Sequence, residues 1–258
     1  MKILFVSLGC DKNLVDTEMM LGMLAERGYS FTDDEREAEA AVINTCCFIG
    51  DAKEESINTI LQMAEQKNEG SLKYLIVTGC LAQRYRKEIR EEIPEVDEIL
   101  GTMAIDRIAE ALDRARDGVR KDYVTDPDAP LVFGKRRSVT TGGHYAYLKI
   151  AEGCDRRCTY CVIPKVRGGY RSVPKEALIR EAQQLCENGV RELILVAQET
   201  TLYGTDLYGH KALPELLHEL CRIPGLRWIR LLYCYPEEIT EELIRTIKEE
   251  PKICHYLD

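Results

Sequence analysis

Tyr145-Ala146-Tyr147-Leu148-Lys149-Ile150-Ala151 runs directly into Glu152-Gly153-Cys154-Asp155-Arg156-Arg157-Cys158-Thr159-Tyr160-Cys161. The first seven residues read as a strand, and the next ten form a loop with three cysteines spaced C-x3-C-x2-C. A loop at the C-terminal end of a parallel strand is where (β/α) barrels place their chemistry. Thiolates are the usual ligands of iron–sulfur clusters. Three of them leave one iron of a [4Fe–4S] cubane open to a substrate. The competing reading is zinc, but closed zinc sites use four ligands, commonly as two spaced pairs. None of His144, His210, His218 and His255 sits at ligand spacing to this loop.

Downstream the pattern repeats strand then helix. Pro174 stands near the start of a helix that Gly189 ends, the usual Pro-first, Gly-last order. Strands follow at Leu193–Ala197, Trp228–Tyr233 and Ile253–Leu257, with helices at Leu213–Arg222 and Glu237–Glu249. This is the alternation of a barrel or an open half-barrel. The chain stops at Asp258 in or beside that last strand, which leaves open sheet edges. It reads as a fragment that does not modify its substrate, with apolar positions such as Ile194, Leu231 and Tyr256 left partly exposed.

Upstream, strands at Lys2–Leu8, Ala40–Asn44, Lys73–Thr78 and near Val96–Leu100 alternate with helices. The helices are expected over Leu14–Arg27, Ala52–Lys67, Arg84–Glu92 and Ile105–Arg116. That order implies a parallel sheet covered on both faces. The division is residues 1–117 as an amino-terminal domain, 118–143 as a linker with a possible short strand at Leu131–Phe133, and 144–258 as the second domain.

Cys10, Cys46 and Cys80 each follow the end of one of three consecutive amino-terminal strands. In a parallel sheet those ends share one edge, where ligands bind. Any one alone reads as a buried small hydrophobe. Three at equivalent positions read as a second three-thiolate site, with Gly9 and Gly79 permitting close backbone approach.

Composition agrees with a globular protein: 45% hydrophobic and 31% charged residues, with a net charge of −9. The acidic balance suits a basic protein partner better than a phosphate backbone. No apolar run reaches the ~18 residues of a membrane span, and no secretory leader is evident. The eleven cysteines therefore read as cytoplasmic metal ligands or core residues rather than disulfides.

The cysteine loop resembles the radical S-adenosylmethionine (SAM) superfamily. Ser7-Leu8-Gly9-Cys10-Asp11-Lys12-Asn13-Leu14-Val15-Asp16-Thr17-Glu18, Asn44-Thr45-Cys46-Cys47-Phe48-Ile49 and Ala52-Lys53-Glu54-Glu55-Ser56 resemble the methylthiotransferases within it. The resemblance is to the branch that modifies a ribosomal protein rather than tRNA. It extends to Ile163-Pro164-Lys165-Val166-Arg167-Gly168 and to Arg230-Leu231-Leu232-Tyr233-Cys234-Tyr235-Pro236.

The resemblance implies an α/β protein: an amino-terminal parallel-sheet, flavodoxin- or Rossmann-like methylthiotransferase domain, then a partial radical SAM (β/α) barrel. It implies two [4Fe–4S] clusters, one on Cys10, Cys46 and Cys80 and one on the catalytic Cys154, Cys158 and Cys161. It places SAM near Tyr160, Gln198 and Glu199. The implied reaction is methylthiolation of the β-carbon of an aspartate in the twelfth small-subunit ribosomal protein. A flavodoxin- or ferredoxin-type electron donor is expected. A tRNA methylthiotransferase and an iron–sulfur electron carrier are the alternatives. Asn13, Asp16 and Glu18 either support the first cluster or cap and solvate the first helix. Arg167 and Arg171 read as solvated loop arginines, with an acidic partner as the alternative. Cys186, Cys221, Cys234 and Cys254 read as packing residues. Cys47 stands where the family often has glycine, so it either competes for iron or packs.

Overall fold

The computed structural model describes residues 1–258. It divides into two compact units. The first is Met1–Ser138 with Arg157–Arg167, and the second is Val139–Arg156 with Gly168–Asp258.

The first unit is built on a six-stranded sheet. Its strands are β1 (Lys2–Ser7), β2 (Ser30–Phe31), β3 (Ala40–Thr45), β4 (Tyr74–Gly79), β5 (Glu98–Leu100) and β6 (Lys121–Tyr123). All pairings are parallel, in the order β2-β1-β3-β4-β5-β6. The first five strands follow the flavodoxin order, whose ligand crevice lies where the order reverses between β1 and β3. β3 is buried at every position, as a central strand covered on both faces must be. The helices are α1 (Asp11–Glu26), α2 (Gly50–Glu69), α3 (Cys80–Arg84), α4 (Arg86–Glu92), α5 (Ile108–Arg116) and α6 (Ile163–Arg167). Ile60 and Met63 of α2 pack with Ile43, Leu75 and Val77 of the sheet.

Three local features differ from the expected pattern. The helix expected at Arg84 starts at Cys80 and breaks at Tyr85. Gly79, at φ 93°, turns the chain into it directly. The helix expected from Ile105 opens with a 3₁₀ turn, Ile105–Arg107, before α5. The stretch expected to be a linker is partly structural. β6 extends the sheet beside β5, and the Ser138 amide donates to the Glu18 carbonyl at 3.0 Å. Leu131–Phe133 forms no strand. The segment 157–167 joins this unit because Val162 and Val166 enter its apolar core.

The second unit contains β7 (Tyr145–Lys149), β8 (Ala151–Glu152), β9 (Arg171–Ser172), β10 (Glu192–Val196), β11 (Trp228–Leu231) and β12 (Ile253–Leu257). β7, β10, β11 and β12 form a parallel sheet in the order β12-β11-β10-β7. β8 and β9 pair antiparallel, Ala151 with Ser172 and Glu152 with Arg171. The sequence pattern had not suggested this clip beside the cysteine loop. Helices α7 (Lys175–Glu187), α8 (Thr205–Tyr208), α9 (Leu213–Cys221) and α10 (Glu241–Glu249) complete the unit. α10 starts later than expected because Pro236–Glu238 is a 3₁₀ turn. The Thr240 hydroxyl then caps α10 by accepting from the Leu243 amide at 3.1 Å. Of the three barrel positions expected to be partly exposed, Ile194 is half-buried and Tyr256 exposed, whereas Leu231 is fully buried in the sheet between β10 and β12.

No helix is long and apolar enough to cross a membrane.

Candidate metal centre

In the first unit, the three strand-end cysteines lie at the carboxyl edge of the sheet. Cys10 is the N-cap of α1, Cys46 follows β3, and Cys80 is the first residue of α3 after β4. Helix N-termini favour negative charge, and hence thiolates. Side-chain hydrogen bonds tie the strand ends together. The Asn13 amide donates to the Leu8 carbonyl at 2.9 Å and the Thr45 carbonyl at 3.0 Å. The Asn44 amide donates to the Asn13 carbonyl at 2.8 Å and the Thr17 hydroxyl at 3.0 Å. The Thr45 hydroxyl donates to the Thr78 carbonyl at 2.5 Å. Ser56 of α2 clamps the Cys46 backbone, accepting from its N–H at 3.0 Å and donating to its carbonyl at 2.9 Å.

The glycines explain how close the backbone comes. Gly9 has φ 88°, and a Cβ there would stand 2.5 Å from the Cys46 Cβ and 2.8 Å from its sulfur. A Cβ on Gly79 would stand 2.5 Å from the Thr45 carbonyl oxygen.

Arg167 is a correction to the solvated-loop reading. It is 2% exposed. Its guanidinium donates to Asp16 at 2.8 Å, to the Asn13 side-chain oxygen at 2.5 Å and to the Cys80 sulfur at 3.4 Å. Arg171, by contrast, is half-buried. Asn13, Asp16 and Glu18 are buried as well. Glu18 pairs with Arg137 at 2.5 Å.

Electrostatics links the same thiols. Burial pushes the Cys46 thiol up, with the Cys10 thiol adding to the rise and Arg167 opposing it. Burial pushes Cys80 up to about 12, against the pull of Arg167. Cys47 is raised to about 11 by burial, with the Cys46 thiol adding and Arg84 opposing. Such thiols ionise when a metal takes the place of the proton. No three His, Cys, Asp or Glu side chains converge on a point as a single ion would require. Cubane thiolates bond separate irons and so stand farther apart. Three thiols at one sheet edge, a glycine cradle and a buried guanidinium at sulfur fit a cluster.

The C-x3-C-x2-C loop is divided between the units: Cys154 belongs to the second, Cys158 and Cys161 to the first. The Cys154 amide donates to the Gly168 carbonyl at 3.0 Å. The Cys161 amide donates to the Cys158 carbonyl at 3.0 Å, which turns those two residues together. Tyr160 is 82% exposed.

Gln198 and Glu199 follow β10 in the second unit. Gln198 donates to Glu152 at 2.6 Å, and Glu152 pairs with Lys149 at 2.9 Å. The Gln198 carbonyl oxygen is buried without a hydrogen-bond partner. Such an orphaned acceptor suits an ammonium ligand. Glu199 is already occupied: it accepts from Arg156 at 3.1 Å, from the Thr201 hydroxyl and from the Tyr235 amide at 3.3 Å. Arg156 also bonds Glu238 at 2.9 Å and stacks 3.6 Å from the Tyr235 ring. Sequence reading missed Arg156 as an organiser, because only the fold brings Glu199, Tyr235 and Glu238 to it. Tyr233, next to this network, has φ 61°, a strained value for an aromatic residue. Cys186, Cys221 and Cys234 are buried, as expected of packing residues, while Cys254 is partly exposed.

Two family models match the chain: the uncharacterized protein family UPF0004 over residues 2–101 and the radical SAM superfamily over residues 148–257. The ribosomal protein uS12 methylthiotransferase RimO of Lachnoclostridium phytofermentans is 63% identical over all 258 residues. Across both matched regions the chain is similar to radical SAM methylthiotransferases. The RimO proteins of Trichlorobacter lovleyi and Clostridioides difficile are each 51% identical across the whole chain. The chain spans 58–59% of the length of these relatives. Among solved structures, the radical SAM methyltransferase TsrM of Kitasatospora setae aligns over 98% of this chain and 58% of its own. The TM-score is 0.62 at 15% identity. The cobalamin-dependent radical enzyme OxsB aligns over 96% of this chain and 41% of its own, with a TM-score of 0.54. At these identities the likeness is one of fold.

Proposed function

We propose that this chain carries the cofactor-holding part of an enzyme that methylthiolates the β-carbon of an aspartate in ribosomal protein uS12. The carrying observation is the joining of Cys10, Cys46 and Cys80 at one sheet edge in a chain that also holds the C-x3-C-x2-C loop. Identity of 50–63% to proteins named as uS12 methylthiotransferases supports this branch over the tRNA branch.

In this reading Cys10, Cys46 and Cys80 hold one [4Fe–4S] cluster, and Cys154, Cys158 and Cys161 hold the other. When bound, the second cluster and SAM supply one-electron cleavage of the sulfonium, the source of a radical able to take hydrogen from an unactivated C–H bond. Gln198 offers its buried carbonyl oxygen to the SAM ammonium. Glu199 acts through Arg156 and Tyr235, setting the loop between β11 and α10. Tyr160 presents its backbone to the adenine. Residues 1–117 form the methylthiotransferase domain, 118–143 its connection and 144–258 the radical SAM domain. The electron donor is a flavodoxin or ferredoxin type, and the setting is cytoplasmic. A net charge of −9 suits a basic ribosomal protein as substrate. An electron carrier would close the second cluster with a fourth protein ligand, and none lies at ligand spacing to the loop.

The test is complementation with the full-length gene in a host lacking its own enzyme, followed by mass spectrometry of uS12 and tRNA. A methylthio mass gain on the uS12 aspartate is expected. A gain on tRNA alone would assign the protein to the other branch.

A further inference from the structure

The contacts of the buried Arg167 are specific, and no step of the proposed reaction uses them.

A guanidinium that is 2% exposed in a protein core is costly unless its donors are paired. Arg167 directs its donors to residues far apart in sequence: Asp16 and Asn13 on α1, and Cys80 at the start of α3. Asn13 in turn holds the Leu8 and Thr45 carbonyls, which lie two residues before Cys10 and one before Cys46. One planar fork therefore touches one of the three thiol positions directly and reaches the other two through a single side chain. Arginine suits this task because it offers several donors in a fixed plane, whereas lysine offers one point charge.

We infer that Arg167 is a positioning residue that locks the Cys10, Cys46 and Cys80 edge and sets a fixed positive charge and an N–H···S bond against the cluster held there. This rests on the reading of those cysteines as cluster ligands. Charge and hydrogen bonds at the sulfurs set the potential of such a cluster. Removing a cation and a donor makes reduction harder, so the potential moves to more negative values.

The test uses the whole chain with Cys154, Cys158 and Cys161 changed to Ala, reconstituted anaerobically with iron and sulfide. About four irons per chain are expected there. An iron-free parent would refute the first-cluster reading itself, before Arg167 is touched. In that background R167Q and R167K are compared with the parent. The readouts are iron content, midpoint potential by electron paramagnetic resonance titration, and unfolding of the apo chain followed by circular dichroism.

R167Q is expected to have a more negative potential and to lose iron to a chelator several-fold faster, with R167K between it and the parent. A potential in R167Q equal to that of the parent would overturn the inference. If R167Q binds no iron, R167K decides. Restored iron at an intermediate potential supports the inference, as does an empty cluster site in a chain that unfolds like the parent. An empty site with a lowered unfolding transition shows a merely structural arginine and overturns it.

Discussion

Changing Gly9 to Ala tests the cradle around Cys46. Gly9 has φ 88°, and the new Cβ would stand 2.5 Å from the Cys46 Cβ and 2.8 Å from its sulfur. Non-bonded carbons settle about 3.5–4.0 Å apart, so Cys46 must retreat by about 1 Å. The left-handed backbone costs an alanine about 1–2 kcal/mol. Overpacking adds about 1–3 kcal/mol, for a total of about 2–5 kcal/mol. Gly28 provides the control, because it has φ 79° and nothing within 4 Å of its would-be Cβ. Gly28→Ala therefore carries only the backbone cost of about 1–2 kcal/mol. With a urea slope of about 2 kcal/mol/M, Gly9→Ala lowers the unfolding midpoint of the first unit by about 1–2.5 M. Gly28→Ala lowers it by about half as much. Gly9→Ala should also lower iron uptake by the first cluster while Gly28→Ala leaves it intact. Equal midpoints and equal iron in the two variants would refute the cradle.

Other variants probe the remaining contacts. A Cβ on Gly153, at φ 79°, would collide with the Gly169 and Gly168 carbonyls, so Gly153→Ala should abolish 5′-deoxyadenosine formation while the second unit stays folded; unchanged turnover refutes this. Gln198→Leu removes the buried acceptor and the bond to Glu152. It should weaken SAM binding about tenfold in calorimetry, as loss of a hydrogen bond of about 1.4 kcal/mol would. Arg114 grips the fully buried Glu98 through two bonds, at 2.8 and 3.2 Å. Arg114→Met should cost about 3–5 kcal/mol near neutral pH. Burial already raises the Glu98 pKa against the pull of Arg114, and losing the arginine raises it further. Stability in that variant is therefore highest at acid pH and falls as pH rises through the folded-state value. A pH-independent loss, measured by urea unfolding, would contradict the assignment.

Much of the fold was legible because parallel strands buried on both faces are written as short apolar runs, as in Ala40–Thr45. Gly9 and Gly79 were legible as points of close backbone approach because each directly precedes a strand-end cysteine. The six cysteines stood out because each follows such a run or shares one loop. The missed elements depend on distant partners. β6 is a strand only because β5 offers its edge, and β8 exists only through β9. Arg167 looked solvated because its partners Asp16, Asn13 and Cys80 lie 87 to 154 residues away. Arg156 was overlooked for the same reason, since Glu199 and Glu238 meet it only in the folded second unit. The early start of α3 at Cys80 is a further case. It puts that thiol at a helix N-terminus, which the alternation of strand and helix does not specify.

The most direct test counts iron and acid-labile sulfide per chain after anaerobic reconstitution, in four forms: the parent, each cysteine triad changed to Ala, and both triads changed together. The account predicts about eight irons in the parent, about four in each single-triad variant and none when both are removed. Iron unaffected by loss of Cys10, Cys46 and Cys80 would contradict the claim that these three strand ends hold a cluster.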